Sequence, residues 1–515
     1  MTTPLEGALA TLMALGGDAA RERHAEFAAS LVTLLAAPPG AIPDRARYEA
    51  ALKNGFAYYY WKWDPRGVDL YDPVAAAIAR WAAEPEPPIG LLCDLVDFIY
   101  FLVWCFEESS SGQCARLVGP LRIAAEGFGR TAPRRSLTPP PEGSRSLRVA
   151  WLGMFAQSDN PMSIALRAVA PALRAKGHHL DVYAWRFLDD PFHAHLRDSG
   201  AVLHDFIGGT PIDTIGAIEA QARQAPPDIV VSDMNNGVPT ALFSRRLAPV
   251  QVFLQAGMPA WPVLNLDGVF NSFGFDPKEA GWGDVAMLRI DAPWDSAALD
   301  PAVPEADIAA ERALLPQGTR LVGSYGRFSK VTPPYLHAVE RLLLRCPDVT
   351  FVLGGTGDAA HVKAFIDASP AGRRMVVQER WVAGHVWGHI LELLLDTWPV
   401  TGGVSAREML AKSKPVVTCY SAEMPAIHRQ RDPDLVARDW DGFVDIAARL
   451  LQDRDAYAAA SARAGALVRR LSEVATFEDE LDADLRLAVR HARQRRSGLG
   501  RMLTGFKTLL GRGRS

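Results

Sequence analysis

With 515 residues, 49% of them hydrophobic and 22% charged, the chain has globular composition and length for about three or four domains, which excludes a peptide ligand, a wholly disordered chain and a membrane channel. Lys+Arg total 55 against 59 Asp+Glu, a net charge of -4, so no global field draws the protein to nucleic acid. Five scattered cysteines without a CxxC pair argue against a disulfide framework or zinc knuckle, and an N-terminus without a basic, then apolar, stretch points to a cytoplasmic protein.

Residues 1–130 read as an all-α domain, with Ala-rich or apolar helical runs at 5–15, 25–35, 73–83 and 91–106. The last run is shorter than the roughly 20 residues that span a bilayer and holds Asp94 and Asp97, so a buried helix is expected. The aromatic run from Phe56 to Trp63 reads as stacked core rings on a helix in preference to a recognition surface. Residues 131–146, rich in Pro, Ser and Arg, form a linker.

From 147 to 300 strands and helices alternate: strands at 148–153, 180–185 and 228–232, helices at 164–176 and 212–224. After an irregular stretch the alternation resumes over 301–488. Strands fall at 320–324, 349–354, 374–377 and 415–419, helices at 334–346, 359–368 and 386–394, and a helical stretch over 444–488 is expected to pack on this second half. Such alternation means parallel, doubly wound sheets. The fold class is therefore α/β: two Rossmann-like halves after an all-α domain, the architecture called GT-B, with ligands at the carboxyl ends of the strands. Residues 489–515 form a basic tail, either a solvated terminus or an amphipathic helix on an anionic membrane face.

The chemistry-bearing motifs lie in the second half. Gly323-Ser324-Tyr325-Gly326-Arg327-Phe328-Ser329-Lys330 follows a strand and offers two cations, Arg327 and Lys330, to a diphosphate. Gly354-Gly355-Thr356-Gly357 follows the next strand. In 395–417 (LDTWPVTGGVSAREMLAKSKPVV) a strand end and the Gly402-Gly403 turn lead into a helix with Ser405 in its first turn, an anion-binding terminus, and Glu408 one turn in can grip a ribose diol. In the first half Asp233, at the carboxyl end of a strand, is the leading candidate base, with Asp159 next.

The order GSYGRFSK, GGTG, LDTWPVTGGVSAREML and KPVV resembles the carboxyl-terminal half of the O-GlcNAc transferase family, which includes the bacterial adhesin N-glucosyltransferases. In the first half SDNPMS, SDMNNG, LAPVQ and GMPA are similar to further family motifs, so the resemblance spans about residues 147–440. The all-α domain before the core resembles the adhesin glucosyltransferases in layout. The resemblance implies that Lys330 binds phosphate, that Glu408 stands for the ribose-binding Asp, and that His385 lies near the uracil and diphosphate. Where the family has an active-site His this chain has Asn160, which cannot accept a proton, and Gly403 replaces the usual His or Asn. A retaining GT-B reading would need a second Glu eight residues before Glu408, where Val400 stands.

Taken together, the expected activity is metal-independent, inverting transfer of a hexose or N-acetylhexosamine from a UDP-sugar to a protein side chain, with no metal and no cofactor beyond the donor. The alternatives are a glycan or lipid-linked acceptor, with the basic tail touching the inner membrane face, and a catalytically silent UDP-sugar-binding scaffold.

Overall fold

The computed structural model describes residues 3–497 except 63, 108, 133–136, 154–162, 186–190, 207–208, 256–259, 264, 272–273, 290–291, 423–424 and 474. Among the described residues seven helices open the chain, the last two being Ile89–Phe106 and Ser110–Arg130. Two sheets follow, with every strand pair parallel.

The first sheet contains β1 (Arg148–Gly153), β2 (His179–Ala184), β3 (Val202–Asp205), β4 (Ile229–Ser232), β5 (Val250–Gln255), β6 (Gly268–Asn271) and β7 (Ala286–Leu288) in the order β3-β2-β1-β4-β5-β6-β7. The second contains β8 (Arg320–Arg327), β9 (Val349–Thr356), β10 (Met375–Gln378), β11 (Leu393–Leu395), β12 (Val416–Cys419) and β13 (Val436–Ala437) in the order β10-β9-β8-β11-β12-β13. In each sheet the order reverses once, between β1 and β4 and between β8 and β11. Ligand crevices of doubly wound sheets open at such points.

Strand alternation sorts the first sheet's side chains onto two cores. Ala150 and Leu152 of β1 join the core of the all-α domain, whereas Val149 and Trp151 face the opposite way. The helix Ile89–Phe106 buries eleven residues in the first of these cores. It is long and apolar enough to cross a membrane, yet here Asp94 pairs with Lys53 at 3.2 Å and Asp97 accepts the Gly237 amide at 2.6 Å. The aromatic run is also core: Phe56 stacks on Phe98 at 4.0 Å, and only Trp61, 83% exposed, departs from this among the described rings.

Two differences from the sequence reading concern the chain's end and one strand. Trp440–Gln452 and Arg454–Ser472 pack on the second sheet as expected, but the helix Phe477–Arg496 crosses back to the first, burying Phe477, Leu481, Leu485, Ala488, Val489 and Ala492 against it. It runs unbroken past residue 488, so the tail does not separate at 489. Arg493 donates to the carbonyls of Pro139 and Pro140, and Arg496 to those of Leu137 and Pro249. These cations tie down the linker; the rest of the tail lies outside the described residues. The expected helix over 386–394 ends at Ile390, and its last residues are the short strand β11, which three leucines without a preceding turn residue do not announce.

Candidate functional site

Second-sheet geometry brings most of the anticipated residues to the β8/β11 switch point. Tyr325 shares a β8 face with Leu321 and Gly323, the face on which the helix Val404–Ala411 packs. Its hydroxyl lies 3.1 Å from Glu408 Oε2 and 3.0 Å from the Ser405 carbonyl. His385 Nδ1 approaches Glu408 Oε1 at 3.6 Å. Gly384, at the start of the helix Gly384–Ile390, makes room for this cluster: a Cβ there would lie 2.0 Å from Glu408 Oε2 and 2.8 Å from the Tyr325 ring. Burial pushes the Glu408 carboxyl up to about 7, against the opposing pull of the Tyr325 hydrogen bond and Lys412. The His385 imidazole is lowered, first by burial and then by Lys412.

Lys330 ends the short 3-10 turn Phe328–Lys330 after β8, and its Nζ sits 3.4 Å from the Thr401 carbonyl. Burial and the neighbouring Arg327 bring its ammonium down to about 8, with Asp396 opposing. Arg327 itself points elsewhere: its guanidinium covers the Trp104 ring at 3.7 Å and donates to the Trp104 carbonyl at 3.0 Å. It is therefore engaged with the all-α domain.

The Gly402-Gly403 turn is shaped by a buried ion pair. Asp396, directly after β11, accepts the Gly402 amide at 2.5 Å and the Thr418 hydroxyl at 3.0 Å, while Arg431 Nη2 bridges Asp396 Oδ2 at 3.2 Å and the Gly402 carbonyl at 2.6 Å. Both residues are 1% exposed. A side chain at Gly402 would lie 2.4 Å from Ser405 Oγ, whereas Gly403, the residue preceding the helix, faces open space. The helix start carries the partial positive charge of its first-turn amides, and Lys330 meets the chain just ahead of it, at the Thr401 carbonyl. Gly354 and Gly355 have a packing role: a Cβ at the first would strike Trp387 and Val382, and at the second would lie 1.9 Å from the Gly326 carbonyl.

Across the molecule, Asp233 follows β4 at the other switch point, next to the end of β1. It is buried; Trp151 Nε1 donates to its Oδ2 at 3.0 Å, and its Oδ1 has no hydrogen-bond partner among the described residues. Burial raises its carboxyl to about 7. Asp159 and Asn160 lie outside the described residues. Among the described residues no group of three or more His, Cys, Asp or Glu is placed to hold a metal ion.

Sequence reasoning missed Tyr325, Asp396, Arg431 and Trp151 as parts of these sites. Alternation along β8 was the available signal for Tyr325; the others act across gaps of 35 to 82 residues that no local pattern reveals.

No protein-family model and no curated protein matches the chain. Among solved structures, a mutant of an O-GlcNAc transferase from Thermobaculum terrenum superposes with a TM-score of 0.59 at 19% identity, over 96% of this chain and 99% of that one. The fold is GT-B. HepE from Anabaena, in complex with UDP and glucose, matches at 14% identity over 66% of this chain and 99% of its own, with a TM-score of 0.48. The GT-B expectation, including the all-α region ahead of the sheets, is thus borne out, and both candidate clusters occupy the switch points of its two halves.

Proposed function

We propose that this protein is a UDP-sugar glycosyltransferase, working by metal-independent inverting transfer of a hexose or N-acetylhexosamine to a protein side chain. The observation that carries the reading is the placement of Lys330, the helix terminus at Val404 and the Tyr325–Glu408–His385 cluster at one switch point, with a buried carboxyl, Asp233, at the other. The likeness to an O-GlcNAc transferase over nearly the whole chain supports it.

In this mechanism Glu408, as carboxylate, accepts the ribose hydroxyls and Lys330 faces the diphosphate. The anion raises the Lys330 pKa from about 8, so the bound state holds an ammonium. Asp233 Oδ1 takes the proton of the acceptor nucleophile, which attacks the anomeric carbon. The bond from that carbon to the diphosphate oxygen breaks, and the pair stays on UDP, where Lys330 and the helix terminus stabilise the developing charge. A carboxyl near pKa 7 suits a general base at neutral pH. One displacement inverts the anomeric centre.

Isothermal titration with UDP, followed by a hydrolysis screen over UDP-glucose, UDP-galactose and UDP-N-acetylglucosamine in excess EDTA, tests the proposal. Saturable UDP binding with EDTA-resistant turnover is expected. Complete loss in EDTA restored by manganese removes metal independence, and absence of UDP binding overturns the reading as a whole.

A further inference from the structure

One helix of the all-α domain touches both halves of the GT-B core beside their candidate sites. In Ile89–Phe106, Asp97 and Trp104 are seven residues apart, hence on one face and separated by roughly 10 Å along the axis. Asp97 Oδ1 accepts the Gly237 amide at 2.6 Å, supplying from another domain the cap that Gly237–Ser244 lacks from its own Asn236 side chain. The approach is close: a Cβ on Gly237 would lie 2.6 Å from the Cys93 carbonyl and 2.7 Å from Cys93 Cα. At the other end Trp104 holds Arg327 twice, by its ring at 3.7 Å and by its carbonyl at 3.0 Å. That carbonyl belongs to the helix's last turn, whose partial negative charge favours a guanidinium.

Gly237 lies four residues after Asp233, and Arg327 three before Lys330. The helix is fixed to the first half through a shared core and through Asp97, so its grip on Arg327 fixes the second half against the first. We infer that Ile89–Phe106 is a brace setting the separation of the two half-sites, with Trp104 and Arg327 as positioning residues for transfer. The inference rests on the UDP-sugar reading for its catalytic consequence and on these contacts alone for its mechanical one.

Two measurements separate those parts. The five native cysteines are buried, so spin labels at exposed Glu279→Cys and Asp367→Cys report the distance between halves. Trp104→Leu is expected to broaden that distance distribution and Trp104→Phe, which keeps a ring for the guanidinium, to narrow it again. An unchanged distribution in Arg327→Met, which gives up both the ring and the carbonyl contact, overturns the brace, whether or not any UDP-sugar is turned over. In the activity assay Trp104→Leu is expected to lower kcat about tenfold or more, because misplacement penalises the reacting geometry, while the Kd for UDP, held by one half, shifts less than about twofold. Arg327→Met loses both the ring and the carbonyl contact, so adding Trp104→Leu to it should cost little more. Losses that multiply in the double variant, or a weakened Kd with unchanged kcat, overturn the positioning role.

Discussion

The phenolic oxygen of Tyr325 stands between two acceptors, Glu408 Oε2 at 3.1 Å and the Ser405 carbonyl at 3.0 Å, with one proton to give. When Glu408 is ionised the two compete for it. The bond donated to Glu408 favours its charged form and so opposes the burial that raises this carboxyl to about 7.

A pH dependence follows. Ribose hydroxyls donate to a carboxylate and not to a carboxylic acid hydrogen, so UDP affinity is expected to fall as pH drops through about 7. Tyr325→Phe removes a hydrogen bond that favours the charged form, moving this limb to higher pH and weakening UDP at neutral pH by about 3- to 10-fold, the equivalent of one ordinary hydrogen bond. Titration calorimetry across the neutral range checks it; an unmoved limb assigns the titration to another group.

Asp233→Asn separates catalysis from stability. With its carboxyl raised from 3.8 to about 7, the fold binds more protons than the unfolded chain between those values. Its contribution to stability therefore falls as pH rises through that window. The amide has no charge to bury, so the variant is expected to melt about 2–4 °C higher than wild type at pH 8 and no higher at acid pH. Transfer should drop roughly 10²- to 10⁴-fold, the usual worth of a general base, with UDP binding retained. Thermal melts at the two pH values and single-substrate kinetics decide both parts.

The segment 395–408 shows how far the sequence reaches. Its strand end, glycine turn, helix start and Glu408 are consecutive, and each type of residue has a local preference that agrees with its neighbours, so the site's scaffold was legible. What holds the scaffold was not. Arg431 reaches Asp396 over 35 residues, Tyr325 reaches Glu408 over 83, and Arg327 reaches Trp104 over 223. Arg327 was expected at a diphosphate because a cation after a strand suits one; the neighbouring aromatic that claims it belongs to another domain. The final helix had the right periodicity, but its amphipathic face fits either sheet, and only the packed structure shows that Leu481 and Leu485 cover the first.

Lys330, at about 8 in the free protein, predicts a proton linkage. UDP binding at about pH 8.5 should take up protons as the anion restores the ammonium, and affinity should decline as pH rises above 8. Calorimetry in two buffers of different ionisation enthalpy measures the uptake. Lys330→Met is expected to abolish it together with most of the binding, and Lys330→Arg, whose guanidinium stays charged at this pH, to abolish the uptake as well.

The Asp396–Arg431 pair, finally, makes a prediction about the turn and not about the chemistry. Both groups are 1% exposed, and Asp396 also carries the Gly402 amide and the Thr418 hydroxyl. Asp396→Asn keeps the shape but leaves a buried guanidinium without its counter-charge, which costs about 3–5 kcal/mol. Arg431→Met leaves a carboxylate that still accepts two hydrogen bonds, so its loss should be the smaller. The double variant buries no net charge and is expected to be more stable than Asp396→Asn alone. Denaturant midpoints for the three variants check this order; equal losses that simply add would show that the two residues support the Gly402-Gly403 turn independently.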